Sequence, residues 1–125
     1  MAKPPQDGER TMRYADGSIS GIEHYLHGKK SGPAEYRYPN GQLKAQGAFV
    51  KGRFSGDWVW WREDGQVKQK GSFLDGEQHG FWQRWNDLGN LIDEGEWVNG
   101  KRSGAWKHYE RDGTLREIVS FAERG

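Results

Sequence analysis

Apolar residues recur along this chain in pairs six positions apart: Ile19 with Tyr25, Leu43 with Phe49, Val67 with Phe73, Leu91 with Trp97, Leu115 with Phe121. An even offset puts both members on one side of an extended strand, so each pair predicts a strand whose core side carries both. Turn signals precede every pair and follow the first four. Asp16-Gly17, Asn40-Gly41, Asp64-Gly65, Leu88-Gly89 and Asp112-Gly113 precede them, and His27-Gly28, Lys51-Gly52, Asp75-Gly76 and Asn99-Gly100 follow. Asp-Gly and Asn-Gly supply the positive φ that tight hairpins need; Leu88 departs from that pattern and predicts a different loop. Two turns per 24 residues give two strands per unit, roughly six to eight residues each, and a meander of about ten antiparallel strands. Helix is hard to place, because glycine recurs so often and costs about 1 kcal/mol of helix propensity each time.

The glycines set the period. Gly8, Gly32, Gly56, Gly80 and Gly104 form one column at a spacing of 24, and Gly17 to Gly113, Gly28 to Gly100 and Gly47 to Gly95 form three more. Only Gly21 and Gly125 of the 19 glycines stand outside. Such self-similarity marks a stacked array of one supersecondary unit. The units are 8–31, 32–55, 56–79, 80–103 and 104–125, preceded by a tail, 1–7, expected to be flexible because of Pro4 and Pro5. Gly47, Gly71 and Gly95 leave room for a ring from the neighbouring strand, for which Trp58, Trp82 and Trp106 in the preceding strand are the candidates. Trp61, Trp85 and Tyr109, three residues further on, belong on the opposite face unless a bulge intervenes. The predicted fold is all-β: an elongated, curved, single antiparallel sheet of about five 24-residue units.

The order of columns, glycine and tryptophan, an N/D-G turn, an aliphatic residue, then G-x-F/W-x-x-G-x-x-x-G, resembles the MORN repeat, in particular its bacterial variant form. Gly80-Phe81-Trp82, Gly89, Leu91, Gly95-Glu96-Trp97, Gly100 and Gly104 carry the likeness best. It spans roughly residues 12–121. Val119 stands where the fifth unit should have glycine, and Arg10 where the first should have its aromatic; terminal units of arrays commonly deviate in this way. The resemblance implies a non-enzymatic scaffold that binds proteins and in some members lipids. Bacterial variants are often labelled antitoxin-like, which implies an immunity role against a toxic effector.

Composition narrows the classes. Apolar residues are 33% and the mean hydropathy is −1.09, too little for a thick core, yet 14% aromatic residues with seven tryptophans separate the chain from disordered sequences. Nineteen Lys and Arg nearly cancel 18 Asp and Glu, so nucleic acid is not expected as a partner. Without cysteine there is neither disulfide nor thiolate metal site. No apolar run reaches the length of a membrane span, making membrane association unexpected. The opening MAKPPQDGER has no apolar leader, so a cytoplasmic setting is expected, with the periplasm as the alternative if a leader has been removed.

No catalytic residue, metal site or cofactor is predicted. His24, His27, His79 and His108 fall in different columns, and the acidic group Asp93, Glu94, Glu96 has no pocket to shift a pKa. What remains is the aromatic excess over the repeat. Tyr36, Phe54, Trp60 and Phe81, with Arg84, occupy variable columns in the middle units, and exposed aromatics backed by arginine anchor protein interfaces. The plainer account of these residues is packing on the second face of a thin sheet. The leading expectation is a protein partner, a toxin or secreted effector among the candidates. Alternatives are a glycan stacked on the aromatics or a lipid headgroup at Lys29-Lys30 and Lys101-Arg102. A homodimer through the edge strand 115–122 is a further expectation.

Overall fold

The computed structural model describes residues 6–124. Twelve strands follow one another: β1 (Gly8–Arg13), β2 (Ile19–Leu26), β3 (Lys29–Lys30), β4 (Gly32–Arg37), β5 (Leu43–Val50), β6 (Arg53–Trp61), β7 (Val67–Leu74), β8 (Glu77–Gln78), β9 (Gly80–Trp85), β10 (Leu91–Val98), β11 (Lys101–Tyr109) and β12 (Leu115–Phe121). They form a single open sheet in the order β1-β2-β4-β5-β6-β7-β9-β10-β11-β12, with β3 on β2 and β8 on β7. Every pairing is antiparallel. The excess over ten strands has a local cause. The segment that runs unbroken as β6 and β11 is interrupted at Ser31 and His79, before Gly32 (φ 99) and Gly80 (φ 97), whereas Gly56 (φ 67) and Gly104 (φ 70) keep the strand continuous.

The two classes of turn use glycine differently. At His27-Gly28, Lys51-Gly52, Asp75-Gly76 and Asn99-Gly100 both residues have positive φ, as a two-residue type I′ hairpin requires. In the other class only the glycine does, and the Asp or Asn before it acts through its side chain. The Oδ1 atoms of Asp16, Asn40, Asp64 and Asp112 each accept the backbone N–H two residues on. Leu88 cannot do this, and Asn86 Oδ1 takes over, accepting from both Leu88 N and Asn90 N at 3.0 Å.

Successive units are also stitched at the hairpins: Gly52 N donates to Lys30 O, Gly76 N to Phe54 O and Gly100 N to Gln78 O. Gly28 N donates to Gln6 O in the same way at 2.7 Å, and Asp7 Oδ1 accepts from His27 N at 2.7 Å. Of the tail predicted over 1–7, residues 1–5 lie outside the described residues, while Gln6 and Asp7 are joined to the first hairpin.

A bulge corrects the predicted parity. Leu43 pairs with Arg37 and Phe49 with Gly32, so seven residues of β5 face six of β4. The extra residue is Lys44, and Ser20, Lys68, Ile92 and Arg116 are its counterparts. The aliphatic member of each pair is thereby turned to the face opposite its aromatic partner. There Val67 pairs with Trp61, Leu91 with Trp85 and Leu115 with Tyr109. Because the extra residue sits in the partner strand, the odd offset from Trp58 to Trp61 stands, and the second ring lies on the second face.

The first face holds the core: Ala34, Ala45, Phe49 and Trp58, with Tyr36, Trp60 and Phe73 packed against it. Trp58, only 1% exposed, is the register partner of Gly71, but its ring leans the other way, over Gly47. A Cβ on Gly47 would lie 2.1 Å from that ring, one on Gly71 2.0 Å from Trp82, and one on Gly95 2.4 Å from Trp106. The glycine-for-ring exchange is thus made with the strand before each tryptophan. Each indole also donates across the seam: Trp58 Nε1 to Ala48 O at 2.9 Å, Trp82 Nε1 to Ser72 O at 2.9 Å, Trp106 Nε1 to Glu96 O at 3.0 Å. Close packing and a satisfied buried donor together make this unit a lock between repeats.

Candidate functional site: an aromatic groove

Tyr36, Phe54 and Trp60 come together on the core face, where they line an open groove of about 690 Å³ with Phe49, Trp58 and Glu23. Phe54, 38% exposed, stacks on Phe73 at 4.8 Å between ring centres and meets Trp58 edge-on at 4.8 Å. Trp60 stacks on Trp58 at 5.6 Å and reaches Trp82 at 5.9 Å. These rings lie over the template core and not on the second face, so they contribute to packing as well as to the groove surface.

The other two candidates are elsewhere. Arg84 is on the same face further along, held by a two-pronged contact with buried Asp93, Nε to Oδ1 at 2.9 Å and Nη2 to Oδ2 at 2.6 Å. That hydrogen bonding raises the arginine pKa above its ordinary value against the opposing effect of burial. Beyond it Arg102 stands 4.8 Å from the Trp106 ring and 5.7 Å from those of Trp97 and Phe121. Phe81 projects from the opposite face, 50% exposed, beside a shallow hollow lined by Asp57, Lys70, Ser72 and Gln83. Also on that face, Glu94 accepts from Gln83 and from Tyr109 Oη. The bond to Glu94 is the main reason the Tyr109 phenol is pushed up to about 12.

One end of the groove is built from residues that the repeat does not lead one to expect. Glu23 occupies the glycine column of Gly47, Gly71 and Gly95, and Ala34 the column of Trp58, Trp82 and Trp106. The exchange is reciprocal. Where the ring is missing, the Glu23 side chain fills the space, 3% exposed, and accepts from Tyr36 Oη at 2.5 Å and Tyr25 Oη at 3.0 Å, with Lys30 Nζ at 3.2 Å. Desolvation works to raise its pKa, but the hydrogen bonds from Tyr36, Lys30 and Tyr25 outweigh that and hold it below the ordinary value. Desolvation and the bond to Glu23 push the Tyr36 phenol up. The signal in the sequence lies in columns 23, 47, 71, 95 and 10, 34, 58, 82, 106 taken side by side, since neither column alone shows the exchange.

Around this end the groove carries cations. Lys30 lies 5.0 Å from the Phe49 ring centre and Lys44 5.7 Å from that of Tyr38, and Arg37 pairs with Glu35 at 2.8 Å. Among the described residues Glu23 is the one acid lining the groove; Lys30 is spent on it and Arg37 on Glu35, which leaves Lys44 without an acidic partner. Because Glu23 is buried and Lys30 and Arg37 are each matched by an acid, the surface presented outward is aromatic, with Lys44 as its uncompensated positive group.

A family model described as MORN repeat variant matches residues 30–51, 55–75 and 102–123, together just over half of the chain. The chain belongs to the MORN repeat variant family. The matched segments cover hairpins of the second, third and fifth units; residues 76–101, with Gly80-Phe81-Trp82 and Gly95-Glu96-Trp97, lie between the last two. No curated protein matches the chain.

Proposed function

We propose that this MORN-repeat chain is a non-enzymatic protein-binding module, and that it holds a partner segment combining apolar side chains with carboxylates against the groove of Tyr36, Phe54 and Trp60. The observation that carries the reading is the groove itself: an uncovered aromatic floor whose only acid among the described residues is buried, with Lys44 at its edge free of any acidic partner there. Aromatic anchors supply contact area at low entropic cost, and the charge at the edge supplies steering and register. The prominent acids have structural partners, Asp93 with Arg84 and Glu94 with Tyr109, which favours binding over hydrolysis. Antitoxin-labelled members of the family suggest a specific form of this reading, in which the partner is a toxic effector and binding neutralises it.

Selection of displayed random peptides against the intact chain tests the groove directly, whatever the partner's identity. Enriched peptides should mix Leu, Phe or Trp with Asp or Glu, and Phe54→Ala or Lys44→Glu should weaken them by about tenfold or more. Peptides indifferent to both changes, or none enriched, would refute the site. Co-expression with a toxic protein encoded beside this chain tests the immunity form, through growth rescue that Phe54→Ala removes.

A further inference from the structure

Among the described residues the sheet ends in two strands with one free side each, β1 and β12. By the repeat, the free side of β12 is where the first strand of a following unit would pair, and β1 is such a strand. Another copy of the chain therefore offers the backbone needed to continue the array from β12 to β1, a head-to-tail contact with no inherent end. Something must make that contact unfavourable or exploit it. The side chains at the seam decide which.

Every internal seam joins one large and one small residue in two fixed columns. Gly47 receives Trp58, Gly71 receives Trp82 and Gly95 receives Trp106, with no space even for a methyl group on the glycine. At the first seam the sizes are reversed, Glu23 filling the space left by Ala34. Between two copies the same columns would bring together Val119 and Arg10. Val119 refuses a ring, since a bare Cβ in its column already falls 2.0 to 2.4 Å from the indole. Arg10 offers no ring, and within its own chain it pairs with Glu23. At the first seam a small residue, Ala34, still answers the large one, whereas Val119 and Arg10 leave a seam between copies with neither a ring nor a small residue to receive a bulky neighbour.

We propose that Val119 and Arg10 together prevent copies from joining β12 to β1, so that a sheet with two open edges stays finite. The two substitutions are complementary, so each half can be restored on a different chain. V119G supplies a glycine edge, R10W a tryptophan edge, and the only seam with a complete lock is β12 of the first with β1 of the second.

The experiment mixes purified V119G and R10W chains and follows them by sedimentation velocity, with circular dichroism to verify that each keeps the wild-type fold. The expected result is a one-to-one pair, with association on the order of a hundredfold tighter than for either variant alone or mixed with wild type. The doubly substituted chain should grow into open-ended oligomers. Folded variants that stay apart when mixed would overturn the proposal, as would wild-type chains that already grow head to tail. Arg10→Phe replaces R10W if the tryptophan variant folds poorly. A symmetric β12-to-β12 dimer is distinguishable throughout, because it closes at two copies and ignores position 10.

Discussion

Three seams between repeats are closed by a tryptophan lying on a glycine, and the first, between β2 and β4, by a buried carboxylate beside an alanine. The backbone pairing is of one kind on both sides of the comparison: Gly21↔Tyr36 and Ile22↔Glu35 at the first seam match Gln69↔Arg84 and Lys70↔Gln83 at the β7–β9 seam. The repeat therefore demands a filled volume at each seam and leaves the chemistry of the filling open. An aromatic lock fills it with one ring and one indole hydrogen bond. The polar seam needs Glu23, Tyr25, Tyr36 and Lys30 in concert, and it places charge and phenols beside the groove. A dry joint serves the scaffold alone, while the polar one also shapes the surface available to a partner.

The comparison breaks most severely where the aromatic lock is tightest. Gly71→Val should cost about 3 kcal/mol or more, because the Trp82 ring has nowhere to retreat and its hydrogen bond to Ser72 O would be disturbed with it. Urea unfolding measures this directly; a loss under about 1 kcal/mol would mean that the ring is not held. Exchange of the two designs is the next test. Ala34→Trp alone should destabilise by about 1–3 kcal/mol through collision with Glu23, and adding Glu23→Gly should recover most of it. Additive effects of the two changes would show that positions 23 and 34 do not share one volume.

Acid should weaken the polar seam and leave the tryptophan-on-glycine contacts, which hold no titratable group, unchanged. The folded-state pKa of Glu23 lies below its ordinary value of 4.5, so its contribution is fully present above that pH and is lost as pH falls through the depressed folded value. Glu23→Gln keeps the shape, removes the charge-assisted bonds, and should cost about 1–2 kcal/mol near neutrality. The gap between variant and wild type should close below the ordinary carboxylate range in a series of melts. A gap constant with pH would assign the cost to shape and not to charge.

What the sequence made legible follows from the same geometry. The ten strands of the main path, the hairpin positions and the need of Gly47, Gly71 and Gly95 to make room for a ring came from columns at fixed spacing, because each column answers one steric demand; the short β3 and β8 and the strand that supplies each ring did not. Parity did not, since a bulge recurring at Ser20, Lys44, Lys68, Ile92 and Arg116 adds one residue to every unit and leaves the spacing unchanged. Tyr36, Phe54 and Trp60 stand out as excess over the template, but the contacts of Phe54 with Phe73 and of Trp60 with Trp58 and Trp82 could not be assigned before the faces were known. Glu23 gives no such signal, because a glutamate on a polar strand is ordinary until the alanine it compensates is placed beside it.

Phe81 gives the smallest expected effect and separates the faces most cleanly. Composition groups it with Trp60, yet it projects from the opposite side of the sheet, beside Asp57, Lys70 and Gln83. Half exposed and outside the core cluster, it should tolerate Phe81→Ser with a loss below about 1 kcal/mol. Peptides selected on the groove should bind that variant as they bind wild type. Impaired binding with unchanged stability would instead move the partner surface to the second face, leaving the buried Glu23 network a purely structural joint between the first two repeats.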